Sequence, residues 1–307
     1  EVTINAPMEL SSTSLHKKLV ANKKINNKEK LEAYQYDLYT KTQMDVNNLG
    51  DNFAKSKLIK NLSFLIDYMD TIDSNSYFLP VILNENYSNY YYKKNPKLTR
   101  EIVQGTYITG IENAELNQFF GEMYMDVNVY SNIISIFNKP FISPASSFAR
   151  TYYKFYLEDS SFIDNSWCYK LSFSPKRTGD LTFKGEMWIN DTTYAIKQFK
   201  ANISEGSNLN YIQDLYFDHR FKRIEKEVWM LDTEKIIANV RLSKKSKTYG
   251  FIARRQSKRT NFLINKPKKI AFYLSEEAVE IGDSAKLRTE DFWKDKRSEP
   301  LSKQEKQ

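Results

Sequence analysis

Cysteine is almost absent. The 307 residues hold one, Cys168, so no intramolecular disulfide can form and no cysteine-based metal site can be built from this chain alone. Histidine is nearly as scarce: His16 and His219 are the only two, with no HxxE or HExxH spacing, whereas zinc-peptidase chemistry needs two histidines and a carboxylate on the metal and a further carboxylate as base. There is no GxSxG elbow and no Gly-rich phosphate loop, and Cys168 has no histidine in a recognisable motif with it; following Trp167 on an expected strand, it is expected to be a small core residue. No apolar run approaches 18 residues and mean hydropathy is −0.61, which argues against a transmembrane helix. Glu1 opens into "EVTINAP" without the basic segment and apolar core of a signal peptide, so an excised or processed piece is expected.

What the chain does have is charge, tyrosine and alternation. Lysine and arginine number 46 against 38 acids, a formal net charge of +8. The densest cluster, "RLSKKSKTYGFIARRQSKR" at 241–259, could serve as a phosphate stripe, but it carries no helix-turn-helix, zinc-finger or RNP-like motif and surrounds a turn expected at Tyr249-Gly250. No nucleic-acid partner is therefore expected. A solvated rim, or a face drawn to anionic headgroups, fits the same charges. The apolar fraction of 41 % is enough for a core. The aromatics, 21 Tyr and 19 Phe against 4 Trp, fall in segments of alternating polarity, which favours sheet.

Leu181, Phe183, Gly185, Met187 and Ile189 share one face of "LTFKGEMWIN", and Thr182, Lys184, Glu186 and Trp188 the other, which is strand periodicity. Asn190-Asp191-Thr192 suits a tight reversal, with a second strand from Tyr194. "SSTSLHKKLVANKKIN" predicts an entry helix capped near Ser12 to Ser14. Strand patterns follow in "LEAYQYDLYTKTQMDV" and over Leu62–Thr71, Phe78–Asn89 and Thr99–Thr109; Asn113–Phe137 loosens towards helix; after Thr151 the strand signal is continuous. Short turns between these strands predict an antiparallel meander. Beyond about Glu280 the chain is charged and poorly patterned, as in a tail or linker.

The ordered series "EVTINAP", "YQYDLYTK", "YFLPVILNENYSNYYYKKNPKLTREIVQG", "PFISPASSFARTYYKFYLEDS", "YKLSFSPKR", "FKGEMWINDTTYAI" and "LNYIQDLYFDHRF" resembles the Bacteroidota envelope proteins called carboxypeptidase-like regulatory domain-containing proteins, which are of unknown function. The resemblance covers nearly the whole chain. It implies a parent with a small N-terminal β-sandwich, this middle region and a C-terminal outer-membrane β-barrel. Residues 1–11 would then be a lead from the missing sandwich, 12–279 the middle domain and 280–307 a charged linker towards the missing barrel. Two phrases, "FSPKR…FKGEMWIND…YAI" and "YIQDLYFDHRF", are also similar to the lipoprotein-carrier fold, which implies an α+β domain: a curved, incompletely closed antiparallel sheet with covering helices. Function does not follow from such a likeness.

Three functional readings stand beside one another. In the first, Leu181, Phe183, Met187, Ile189 and Phe217 line a groove for an acyl chain or a partner segment; the alternative is that an internal helix fills the groove and these residues are ordinary core. In the second, the chain is a docking scaffold with a partner surface at Tyr87, Tyr90, Tyr91, Tyr92, Arg254 and Arg255. The third, a hydrolase, lacks residues to carry it: His219, between Asp218 and Arg220, is expected on a rim. The reading is a non-catalytic periplasmic binding or assembly module without cofactor or metal, on the periplasmic face of the outer membrane. Its partners would be the barrel of its own parent chain and a lipid or another envelope protein.

Overall fold

The computed structural model describes residues 10–47, 70–73, 76–110, 121, 123–207, 209, 212–241, 250–274, 277 and 279–301. The expected lead at its outer end, the greater part of the Leu62–Thr71 strand and the turn before Gly250 lie outside these residues. One long helix, α1 (Ser12–Asn26), comes first. Strands β1 (Ala33–Asn47), β2 (Asp70–Asp73), β3 (Ser76–Lys93) and β4 (Leu98–Gly110) follow, then a small hairpin of β5 (Ile133–Ile136) and β6 (Lys139–Ile142). A single helical turn, α2 (Ala149–Tyr152), leads into β7 (Tyr153–Ile163), β8 (Ser166–Pro175), β9 (Phe183–Asn190), β10 (Ile196–Ile203), β11 (Ile212–Glu225), β12 (Val228–Arg241) and β13 (Gly250–Ile264). The chain closes with α3 (Ile270–Tyr273), β14 (Val279–Ile281) and α4 (Glu290–Lys296).

The strands hydrogen-bond in the order β14-β4-β3-β1-β13-β12-β11-β10-β9-β8-β7, with β2 added to β3. From β7 to β13 this is the expected meander. β1 departs from it, pairing with β13 on one side and β3 on the other. The path has two ends, β14 and β7, so the curved sheet is unclosed, as the α+β half-barrel expectation requires. β14 runs parallel to β4, while every other described register is antiparallel.

Local chemistry sets the turns. Ser11 caps α1 by accepting from the Ser14 N–H at 3.1 Å, one residue before the expected caps, and Lys23 and Lys24 lie at the carbonyl end where the helix dipole favours cations. After β9, the Asn190 side chain accepts from the Thr193 N–H at 2.9 Å and Tyr194 takes a positive φ, so the partner strand starts at Ile196, two residues later than expected. Asp164-Asn165 and Phe137-Asn138 carry the paired positive φ values of tight hairpin turns. The second of these belongs to the β5–β6 hairpin, which replaces the end of the helical stretch expected over Asn113–Phe137; residues 111–120 and 122 lie outside the described ones.

The chain packs as two compact units. Unit 1 holds residues 1–30, 125–208 and 217–231, and unit 2 holds 31–124, 209–216 and 232–307. In unit 1 the inward face of the sheet is aromatic: the Phe183 ring lies 6.2 Å from Phe199 and 6.0 Å from Phe217. Gly185 is needed on this face because a Cβ there would stand 2.7 Å from the Ala201 Cα on the paired strand. In unit 2 the segment expected as a tail is folded onto the sheet. Trp293 of α4, 1 % exposed, packs with Tyr39 and Tyr87.

Candidate functional site

Four of the five expected groove residues sit at the centre of unit 1. Phe183, Met187, Ile189 and Phe217 are fully buried, while Leu181, just before β9, is partly exposed and accepts a hydrogen bond from the Ile142 N–H at 2.8 Å. The cover comes from Phe141 of β6, whose ring is 5.3 Å from that of Phe183, and from Tyr153, whose hydroxyl receives the Phe183 N–H at 3.0 Å and donates to the Ile142 carbonyl. Tyr130 accepts from the Ile196 N–H at 2.8 Å, and burial raises its hydroxyl pKa well above the ordinary value. Leu15 and Leu19 of α1 are likewise fully buried. Among the described residues, this apolar face is therefore covered by side chains of unit 1 itself.

Neither histidine reaches solvent. His219 was expected on a rim; it is fully buried, with the rings of Phe199 and Phe217 at 6.0 Å and Phe221 at 6.5 Å. His16 lies 4.2 Å from the Phe155 ring, with Nε2 3.0 Å from the Pro144 carbonyl. Burial lowers its pKa and the nearby Arg150 charge lowers it further, against the Pro144 hydrogen bond. Cys168 is buried and its thiol is pushed up to about 11, chiefly by burial, which makes it a poor nucleophile at neutral pH. No group of three or more His, Cys, Asp or Glu side chains among the described residues is placed to hold a metal.

Of the expected partner surface in unit 2, Tyr87, Tyr92 and Arg255 are buried, while Tyr90, Tyr91 and Arg254 are partly exposed. Tyr92 stacks on Tyr34 at 4.5 Å and Tyr90 on Tyr36 at 5.0 Å, each opposite its partner in the β1–β3 register. Tyr87 is buried and donates to Asp37 at 2.8 Å; burial and then that carboxylate raise its pKa. Tyr91 lies edge-on to Phe272 at 4.8 Å. Arg254 pairs with Asp45, while Arg255 is buried, 3.2 Å from Glu234 and donating to the Met123 carbonyl at 2.7 Å. A further buried pair was not expected at all. Glu85, fully buried, accepts from Arg297 at 2.6 Å and from the Tyr39 hydroxyl at 2.5 Å.

An open feature does exist in unit 1. A cavity of about 490 Å³ is lined by Ser12 and Thr13 of the first turn of α1, Arg150 of α2, Tyr153 and Phe155 of β7, and Lys176 just beyond β8. Arg150 and Lys176 are exposed, and the Lys176 ammonium donates to the Arg150 backbone carbonyl at 2.6 Å, which holds the lysine side chain beside the Arg150 backbone.

Residues 17–258 match the model of a family of unknown function, DUF5686. The chain belongs to that family. No curated protein matches this DUF5686 sequence significantly. Among solved structures it is similar to a domain assigned to outer membrane lipoprotein sorting from Vibrio parahaemolyticus, at 7 % identity and a TM-score of 0.33, over 84 % of this chain and 95 % of that one. A LolA-superfamily protein from Nitrosomonas europaea matches at 9 % identity and a TM-score of 0.27, over 87 % and 98 % of the two chains. MucB in its complex with MucA, from Pseudomonas aeruginosa, matches at 7 % and 0.21, over 82 % and 99 %.

Proposed function

We propose that this DUF5686 chain is a non-catalytic binding module of the cell envelope, on the periplasmic face of the outer membrane, that engages partners on its surface and admits no acyl chain into the interior of unit 1. The observation that carries this reading is the sealed apolar face: Phe183, Met187, Ile189 and Phe217 are at zero exposure, with unit 1's own Phe141 and Tyr153 against Phe183. An acyl chain would have to displace well-packed aromatic rings, each buried side chain contributing roughly 1.5–3 kcal/mol. The non-catalytic part is supported by the withdrawal of both histidines and the cysteine from solvent. The envelope setting, the Bacteroidota affiliation and the outer-membrane barrel as a partner in the same parent chain rest on the sequence resemblance. The expected partner is then a protein, or a lipid met only at the surface.

Native mass spectrometry with excess methyl palmitate, an acyl chain with neither phosphate nor charge, tests the reading. An unchanged protein mass is expected. A stoichiometric methyl palmitate adduct, released on denaturation, would overturn the sealed interior and favour an acyl-carrier role.

A further inference from the structure

We propose that the cavity at the start of α1 is a binding site for a phosphate group carried on a larger organic molecule. Two side chains of like charge, Arg150 and Lys176, line one cavity, and neither forms an ion pair among the described residues. None of the described residues lining it is a carboxylate, and the first turn of α1 contains no acid. Three other cations of unit 1 do have a carboxylate beside them: Lys170 lies 2.9 Å from Glu186, Lys197 3.0 Å from Asp164 and Lys28 2.9 Å from Asp126. Two cations lining one cavity without a counter-charge repel one another, and a bound anion relieves that repulsion.

The arrangement selects among anions. A guanidinium presents paired N–H donors that match two phosphate oxygens, and an ammonium adds a point charge, so the formal charge of two suits a phosphate dianion. The Ser12 and Thr13 hydroxyls offer further donors. At about 490 Å³ the cavity exceeds a bare phosphate and lies within the usual range for organic ligands. Tyr153 and Phe155 give it an aromatic wall against which the rest of the ligand would lie. The shared chemistry is a phosphate ester, whether from a soluble molecule or a lipid headgroup. This inference is independent of the sealed interior, because methyl palmitate and phosphate report on different places.

Titration of the full chain with inorganic phosphate and with phosphoserine, followed by calorimetry, tests it. Binding is expected in the native chain, weakened about tenfold or more by Arg150→Gln or Lys176→Gln, consistent with losing one hydrogen bond to a charged group. Lys184→Gln, the same charge change at an exposed position of β9, is expected to leave binding intact. Phosphatidic acid vesicles form the second arm. Retention of the native chain and loss with the Arg150→Gln, Lys176→Gln pair point to a lipid source, whereas soluble binding without vesicle retention points to a soluble ester. Absence of binding in both arms, binding insensitive to Arg150 and Lys176, equal weakening by Lys184→Gln, or acetate binding as tightly as phosphate would each overturn the proposal. The variants are exposed side chains, and unchanged far-ultraviolet circular dichroism separates lost binding from lost folding.

Discussion

His16 is the residue whose chemistry reaches furthest beyond its own position. Its ring is packed against Phe155 and bonded to the Pro144 carbonyl, and burial followed by the Arg150 charge lowers its pKa below the ordinary 6.5. The unfolded chain takes up a proton near pH 6.5 while the folded chain resists it. The stability this gives is complete above pH 6.5 and is lost as pH falls from there to the folded pKa, by at most about 1.4 kcal/mol per pH unit. Urea unfolding at pH 7.5, 6.5 and 5.5 should show the decline, and His16→Gln, which keeps a donor for Pro144, should reduce it; equal slopes in both proteins would refute the assignment. The burial of His16 was not legible in the sequence, since a helix start near Ser12 says nothing of which side faces the sheet. His219 was legible. Strand alternation places it with Phe217 and Phe221, but the charged neighbours Asp218 and Arg220, which belong to the opposite face, suggested a rim. Cys168 sits where its small apolar side chain and its place after Trp167 put it, in the core.

At the scale of elements, a buried ion pair joins the end of helix α4 to β3, beside the packing of Trp293 on Tyr87. Arg297 reaches Glu85 with Nε and a terminal nitrogen, at 2.9 and 2.6 Å, and Glu290 with the other at 2.5 Å. Burial works against the guanidinium charge, and the Glu85 and Glu290 carboxylates more than offset it. Arg297→Ala leaves Glu85 buried with only the Tyr39 hydroxyl, so a loss of about 3–5 kcal/mol is expected in chemical unfolding followed by Trp fluorescence. Replacing both partners, as Glu85→Leu with Arg297→Met, should recover much of that loss; a single substitution without effect would show the pair to be dispensable. The strands were legible because alternation survives in nearly all of them. Their surroundings were not: "NENYSNYYYKK" suggested a binding face, yet Tyr92 stacks on Tyr34 across the β1–β3 pair and Tyr91 meets Phe272 of α3, partners remote in sequence. Arg254 and Arg255 likewise find Asp45 and Glu234 on adjacent strands, distant in sequence and close only through register. The residues lining the cationic cavity lie on four segments, and no local pattern joins them.

For the molecule as a whole, the unclosed sheet was foreseeable from periodicity and resemblance, whereas the division into two units was not. β11 and β12 each contribute residues to both, so no linker composition marks a boundary. Residues 279–301 were equally hard to place: a largely charged segment is anchored by a few apolar side chains, Trp293, Phe292 and Leu301 among them. Scarcity of cysteine, which excludes an intramolecular disulfide and a cysteine-based metal site, also makes the single thiol a reporter. Cys168 is buried in unit 1 and Trp293 in unit 2, so each unit holds a reporter of its own. A thiol reagent should react at the rate at which unit 1 opens, and the emission of Trp293, with the other three tryptophans replaced by Phe, should change as unit 2 opens. Equal rates under mild denaturant would mean that the two units open as one cooperative body. A thiol that reacts first would make unit 1, with its cationic cavity, the part of the chain that breathes.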